Sequence, residues 1–181
     1  MTNFFKIASV AIVALSANVL SAQEDTDQAT LNVVVGSSYS ITVSNPTAEI
    51  SMTTPTHFQS GNSVSKTDHV QVSATNDYEV TVIATQDLTS GAETIPVSTV
   101  LVTPTLGSYL GGGDDPGAIA VTLDPQELST STENTIISTD IGESLRGYTI
   151  EYSIPAEQAS QYLNHTAGTY TTTVTYSLYA Q

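Results

Sequence analysis

The stretch Tyr170-Thr171-Thr172-Thr173-Val174-Thr175-Tyr176-Ser177-Leu178-Tyr179-Ala180 decides the fold class. Tyr170, Thr172, Val174, Tyr176, Leu178 and Ala180 fall on one side of an extended chain; Thr171, Thr173, Thr175, Ser177 and Tyr179 fall on the other. Successive side chains of a strand point to opposite faces, so a clean alternation of this length predicts an antiparallel sheet with one buried face. Ala167-Gly168 supplies a turn before it. Upstream, Tyr148, Ile150, Tyr152 and Ile154 alternate with Thr149, Glu151 and Ser153, and Pro155 stops that strand. Residues 156–163 between the two strands are long enough for about two helical turns, with Ala159 and Tyr162 or Leu163 facing inward.

The same period of two extends toward the amino terminus. Val70, Val72 and Ala74 share one face, Thr75-Asn76-Asp77 makes a tight turn, and Tyr78, Val80, Val82 and Ala84 share the next face. The pattern predicts a β-hairpin. Shorter strands are expected at 39–43, 48–52, 96–102, 118–123 and 135–138. Residues 53–68 read as a polar loop, and 106–117 as a loop around Gly111-Gly112-Gly113. About eight to ten strands at spacings of about 8 to 15 residues, with one short helix near 156–163, predict an all-β antiparallel sandwich, Ig-like or jelly-roll-like. A closed barrel is the alternative. Parallel βαβ architecture is excluded because no segment could form its crossover helices.

Composition narrows the function classes. The chain has 181 residues, with 3 Lys+Arg against 18 Asp+Glu and a formal net charge of −15. A phosphate backbone would be repelled, so nucleic acid is not an expected partner. With no Cys there is no disulfide scaffold, Cys-ligated metal or thiol nucleophile. Thr and Ser number 29 and 22.

Residues 1–22 read as a secretory signal, removed on export. Lys6 is the n-region charge, Ile7 to Leu15 the apolar h-region, and Leu20-Ser21-Ala22 the small-residue cleavage site. The apolar run is too short to span a bilayer, and no later segment approaches the ~20 residues needed. Residues 23–30 form a flexible acidic lead, and 31–181 a single β-sandwich domain. The expected location is secreted: extracellular or cell-surface, by way of the periplasm. The exported chain holds Lys66 and Arg146 against all 18 carboxylates.

Motifs for chemistry are sparse. His57, His69 and His165 have no metal-ligand spacing, no G-x-S-x-G elbow appears, and the glycine run lacks the basic residue of a phosphate loop. Asp114, Asp115 and Asp124 are candidate Ca²⁺ ligands, as hard oxygens on flexible backbone; an acidic solvated loop is the simpler alternative. Asn164-His165-Thr166 is an N-x-[ST] sequon, which carries no weight in a bacterial protein. No cofactor other than that Ca²⁺ is expected, and an enzyme is not.

The segment Ala167-Gly168-Thr169-Tyr170-Thr171-Thr172-Thr173-Val174-Thr175-Tyr176-Ser177-Leu178 resembles the ending of bacterial surface β-domains. In WxL-type domains a Gly-x-Tyr run leads through alternating threonines to Trp-x-Leu, and Tyr176-Ser177-Leu178 stands in that place with Tyr for Trp. Fimbrial subunits of the spore-coat-U kind end in similar strands. The resemblance implies a cell-surface protein, and its WxL side implies peptidoglycan binding.

Two functions follow as expectations. The first is a structural subunit of a fimbria, pilus or coat that self-associates. In it Leu31, Val33, Val34 and Val35 would be a donor strand added to a neighbour's open sheet edge. The alternative for residues 31–35 is a strand paired within their own domain. The second function is a binding module for wall polysaccharide or another surface protein, with exposed tyrosines such as Tyr109 or Tyr179 stacking on sugar rings.

Overall fold

The computed structural model describes residues 26–115 and 121–181, so the signal at 1–22 and the first part of the acidic lead lie outside the described residues. In chain order the elements are β1 (Tyr39–Val43), α1 (Pro55–Ser60), β2 (Gly61–Ala74), β3 (Tyr78–Ala84), β4 (Leu88–Ser90), β5 (Glu93–Ile95), β6 (Leu101–Tyr109), β7 (Val121–Leu123), β8 (Gln126–Glu127), β9 (Asn134–Thr139), β10 (Glu143–Pro155), α2 (Ala156–Ala159) and β11 (Val174–Ala180). Single 3-10 turns cover Val97–Thr99 and Ser160–Tyr162.

Two antiparallel sheets carry the fold, ordered β1-β2-β10-β6-β8 and β11-β3-β9-β7, with β4 and β5 as a separate small ribbon. Their inner faces make one core. Val70, Val72, Val102, Tyr148 and Ile150 come from the first sheet; Tyr78, Val80, Val82, Ile137 and Tyr176 come from the second. The protein is therefore the expected all-β antiparallel sandwich. Six strands, β1-β2-β10-β6 and β11-β3, follow the order of immunoglobulin strands A-B-E-D and F-C, while β7, β8 and β9 have no counterpart in it.

Several local expectations change, among them the strand at 96–102, which is a 3-10 turn at Val97–Thr99 before β6 begins at Leu101. Strands β2 and β3 keep their predicted buried faces, but they are not a hairpin. β2 pairs with β1 and β10, whereas β3 pairs with β11 and β9. The turn at Thr75-Asn76-Asp77 is an arch from one sheet to the other, because both apolar faces must meet in the same core. The polar segment 53–68 is not a loop. Thr54 caps α1, its hydroxyl accepting from the His57 amide at 3.3 Å, and Pro55 begins the helix. From Gly61 the chain is β2, held by the long β10 ladder from Pro155 to Ile150. Residues 48–52 have no ladder partner, although Ile50 and Met52 pack against the core. Strand β6 runs through Tyr109, so the glycine loop begins only at Leu110. The helix expected near 156–163 is α2 continued by a 3-10 turn: Ala159 is buried, Tyr162 reaches Thr99, and Leu163 is exposed.

A bulge sets the shape of β2. Asp68 has φ +47°, in the left-handed region, and the β2–β10 register shifts between Tyr148 and Ile150. The extra residue lets His69 and Val70 both turn inward. Asp68 Oδ1 accepts the Ser108 amide at 2.7 Å, reaching across β10 to β6. Gly107 and Gly147 leave no room for a Cβ beside that carboxylate.

Candidate assembly edge

The donor-strand candidate lies in irregular backbone. Described residues 26–38 contain no helix or strand. Leu31, Val33, Val34 and Val35 are 86, 76, 94 and 85 % exposed. The compact unit of the domain spans Val35–Gln181. Leu31, Val33 and Val35 alternate with Asn32 and Val34, so they would share one face of any strand the segment joined.

At one margin of the sandwich, β1 and β11 run beside each other, each the outermost strand of its sheet. Tyr39, Ile41 and Val43 stand opposite Ala74, Val72 and Val70, and therefore point into the core. Val174, Tyr176 and Leu178 stand opposite Ala84, Val82 and Val80, and do the same. These inward side chains are incompletely covered. Tyr39, Ile41, Val174 and Leu178 are half-buried and Val43 is 36 % exposed, whereas their partners on β2 and β3 are fully buried.

Strand β11 is pinned from the inside by a chain of three rings. His69 Nδ1 lies 2.6 Å from the Ser44 carbonyl, His69 Nε2 lies 3.0 Å from the Tyr152 hydroxyl, and that hydroxyl lies 2.6 Å from the Tyr176 hydroxyl. A carbonyl only accepts, so Nδ1 carries the proton of the neutral imidazole. Nε2 then accepts from Tyr152, which accepts from Tyr176. His69 is held below its ordinary pKa, first by burial and also by the Lys66 charge, against the opposing bond to Ser44. Burial raises the Tyr176 and Tyr152 phenols. The chain ties β2, β10 and β11 together across the two sheets.

The other predicted site residues are dispersed. Asp115 accepts from Arg146 at 3.0 Å, Asp124 accepts from Gln126 Nε2 at 2.8 Å, and Asp114 is exposed in the glycine loop. Among the described residues no group of three or more His, Asp or Glu gathers as a metal site. His57 lies in α1, where Nδ1 accepts the Thr53 amide at 3.3 Å. Tyr109 stacks over the Arg146 guanidinium, 5.2 Å from its ring centre, and Tyr179 donates to Glu133 at 3.1 Å from the other sheet. The two tyrosines do not share a platform.

Two polar clusters escaped sequence reasoning. Arg146 is buried, with Nε 2.7 Å from buried Glu143. Burial works to lower its pKa, but the bonds to Asp115 and Glu143 outweigh that and raise it. The Tyr78 hydroxyl joins the cluster, 2.6 Å from Tyr148 and 3.3 Å from Glu143. A signal was present: Arg146 is in phase with Tyr148, Ile150, Tyr152 and Ile154. The second cluster centres on Glu93. Its carboxylate accepts from the Thr166 hydroxyl and amide, from Tyr170 at 2.6 Å, and from His165 at 3.3 Å. These bonds, Thr166 first, hold its pKa down to about 2. Partners 72 to 77 residues apart leave no trace in a single sequence.

The fold and this margin define the chain as an all-β antiparallel sandwich in which β1 and β11 are outermost strands of their sheets. No protein-family model matches the chain, and no curated protein matches it.

Proposed function

We propose that this chain is an exported, non-enzymatic structural subunit of the bacterial cell surface, a fimbrial or coat protein that joins its neighbours by strand donation. The observation that carries this is the apolar group Leu31, Val33, Val34 and Val35, the most exposed large hydrophobic side chains among the described residues and without a ladder. Contiguous exposed apolar side chains mark an interaction site. A strand added to an open edge satisfies a row of main-chain donors and acceptors while burying alternate side chains. Head-to-tail addition whose rotation does not close into a ring makes filaments. An acidic surface suits an exported, soluble subunit.

The test is deletion of residues 23–36. Negative-stain microscopy of surface-sheared material should show filaments for the intact chain and none for the deletion, whose circular dichroism stays that of a folded β protein. Filaments from the deletion would overturn strand donation. Dispersed monomers from both would favour the second reading, a module for wall polysaccharide or another surface protein. That reading draws on an open cleft of about 680 Å³ lined by hydroxyl and amide groups, including Ser98, Gln126, Thr130 and Asn134. Glycan binding by the monomer would then be the measurement.

A further inference from the structure

We infer that the cavity beside Lys66 is a binding site for one carboxylate-bearing sugar unit, a uronate, whose carboxylate meets the Lys66 ammonium. The inference stands apart from strand donation and from the cleft at Gln126 and Asn134, with which this cavity shares no residue.

The fold builds this cavity where β1 stops covering β2. Ser44, just past β1, is still held by β2: its amide donates to the His69 carbonyl at 2.8 Å and its hydroxyl to the Asp68 carbonyl at 2.9 Å. Asn45, with φ +49°, and Pro46, without an N–H, then turn the chain away. The chain is bonded to β2 again at Asn62, whose side-chain amide donates to the Ser51 carbonyl at 2.8 Å. Between those two points β2 is laddered to β10 on one side and, among the described residues, to no strand on the other. Beside that stretch lies a cavity of about 220 Å³, lined by Ser44, Asn45, Ser65, Lys66, Thr67 and His69.

Charge decides what enters it. The chain has 3 Lys+Arg against 18 Asp+Glu. Of the two such cations among the described residues, Arg146 is buried between Glu143 and Asp115, whereas Lys66 makes no ion pair there. No carboxylate lines its cavity. The Lys66 charge joins burial in holding His69 below its ordinary pKa, so its field reaches the cavity wall. One lysine matches a monoanion. A phosphate dianion is repelled more strongly by a chain of net charge −15, and it finds neither a guanidinium fork nor a helix N-terminus in this lining. The rest of the wall is the Ser44, Ser65 and Thr67 hydroxyls, the Asn45 amide and the His69 ring, with no hydrocarbon side chain. Such a wall suits a ligand whose body carries hydroxyls. The cavity is smaller than the ~300–1,000 Å³ of sites for drug-sized ligands, so it takes one sugar ring rather than a chain.

The test is an amide-shift NMR titration of the full chain at low salt with glucuronate, glucose, acetate and inorganic phosphate. The expected result is saturable shifts for glucuronate at Ser44, Asn45, Ser65, Lys66 and Thr67, with binding at least tenfold tighter than for glucose or acetate. Lys66→Gln should weaken glucuronate at least tenfold and leave glucose unchanged. Thr67→Val keeps a β-branched residue at an exposed strand position and should weaken glucuronate at least threefold. Where Lys66→Gln lowers Tm, Thr67→Val carries the comparison. Shifts absent from these residues, shifts at Gln126 and Asn134 instead, or affinity unchanged in the variants would overturn the site. Acetate as tight as glucuronate would overturn the sugar, and phosphate tighter than glucuronate would overturn the carboxylate. Filaments in surface-sheared material depend on none of these results, so this site and strand donation fail separately.

Discussion

Arg146→Leu is the sharpest test of how this core is held. The substitution removes a buried cation whose Nε lies 2.7 Å from a fully buried Glu143 carboxylate and whose other nitrogens reach Asp115. Glu143 would be left with neutral hydroxyl partners, Tyr78 at 3.3 Å and Tyr148. Removing one member of a buried pair costs about 3–5 kcal/mol, because the other charge stays out of water without compensation. In a domain the size of Val35–Gln181 each kcal/mol is worth roughly 2–4 °C, so Tm should fall by about 6–20 °C. Replacing both members, Arg146→Leu with Glu143→Leu, should restore most of that loss, since the Tyr78–Tyr148 bond at 2.6 Å survives on its own. Asp115→Asn should cost about 0–1 kcal/mol, because Asp115 is half-exposed and its pair is screened. Thermal unfolding followed by circular dichroism at pH 7 measures all four proteins. A fall below 2 °C for Arg146→Leu, or losses that simply add in the double variant, would refute the buried-pair account.

Three further outcomes follow from the polar clusters and the bulge. The folded state lowers the His69 pKa, so it binds fewer protons than the unfolded chain below pH 6.5; stability should be flat above that value and fall as pH drops beneath it. Denaturant titrations from pH 7.5 to 5.5 should show this slope in the wild type and lose most of it in His69→Gln. Glu93, held at about 2, contributes stability that is fully present above its ordinary value of 4.5 and is lost as pH falls toward 2. Glu93→Gln should flatten that window and speed proteolysis within residues 164–170, read by mass spectrometry. Gly147→Ala should lower stability by about 1–3 kcal/mol, because its Cβ meets the Asp68 side chain, whereas Gly36→Ala, with open space around it, should leave Tm unchanged. Equal Tm values for the two alanine variants would discard the niche around Asp68.

The strands at 70–74, 78–84, 148–154 and 174–180 were legible because each keeps apolar side chains two residues apart on one face. The first half of β2 was not. Between Gly61 and Asp68 only Val64 is apolar, and that segment is a strand because β10 pairs with it. The arch at 75–77 was misread as a hairpin, since a short polar turn between two alternating runs looks the same in both cases. Ladder partners at least 27 residues away decide between them. Leu31 to Val35 carried an apolar signal but no information on its partner. The same five residues suit an internal edge or a neighbour's.

By itself, the sequence determined the all-β class, the inward faces of the four regular strands and the strongly acidic surface. All three depend on side-chain period and charge, which are local or additive quantities. Only the tertiary structure decided which sheet each strand joined, that Arg146 and Glu143 meet inside the core, that Glu93 holds the 164–170 segment, and that β1 and β11 are outermost strands beside half-covered apolar residues. Those features come from pairings far apart along the chain. They are settled when two apolar faces close on one another, and which strands end outermost is a result of that closure.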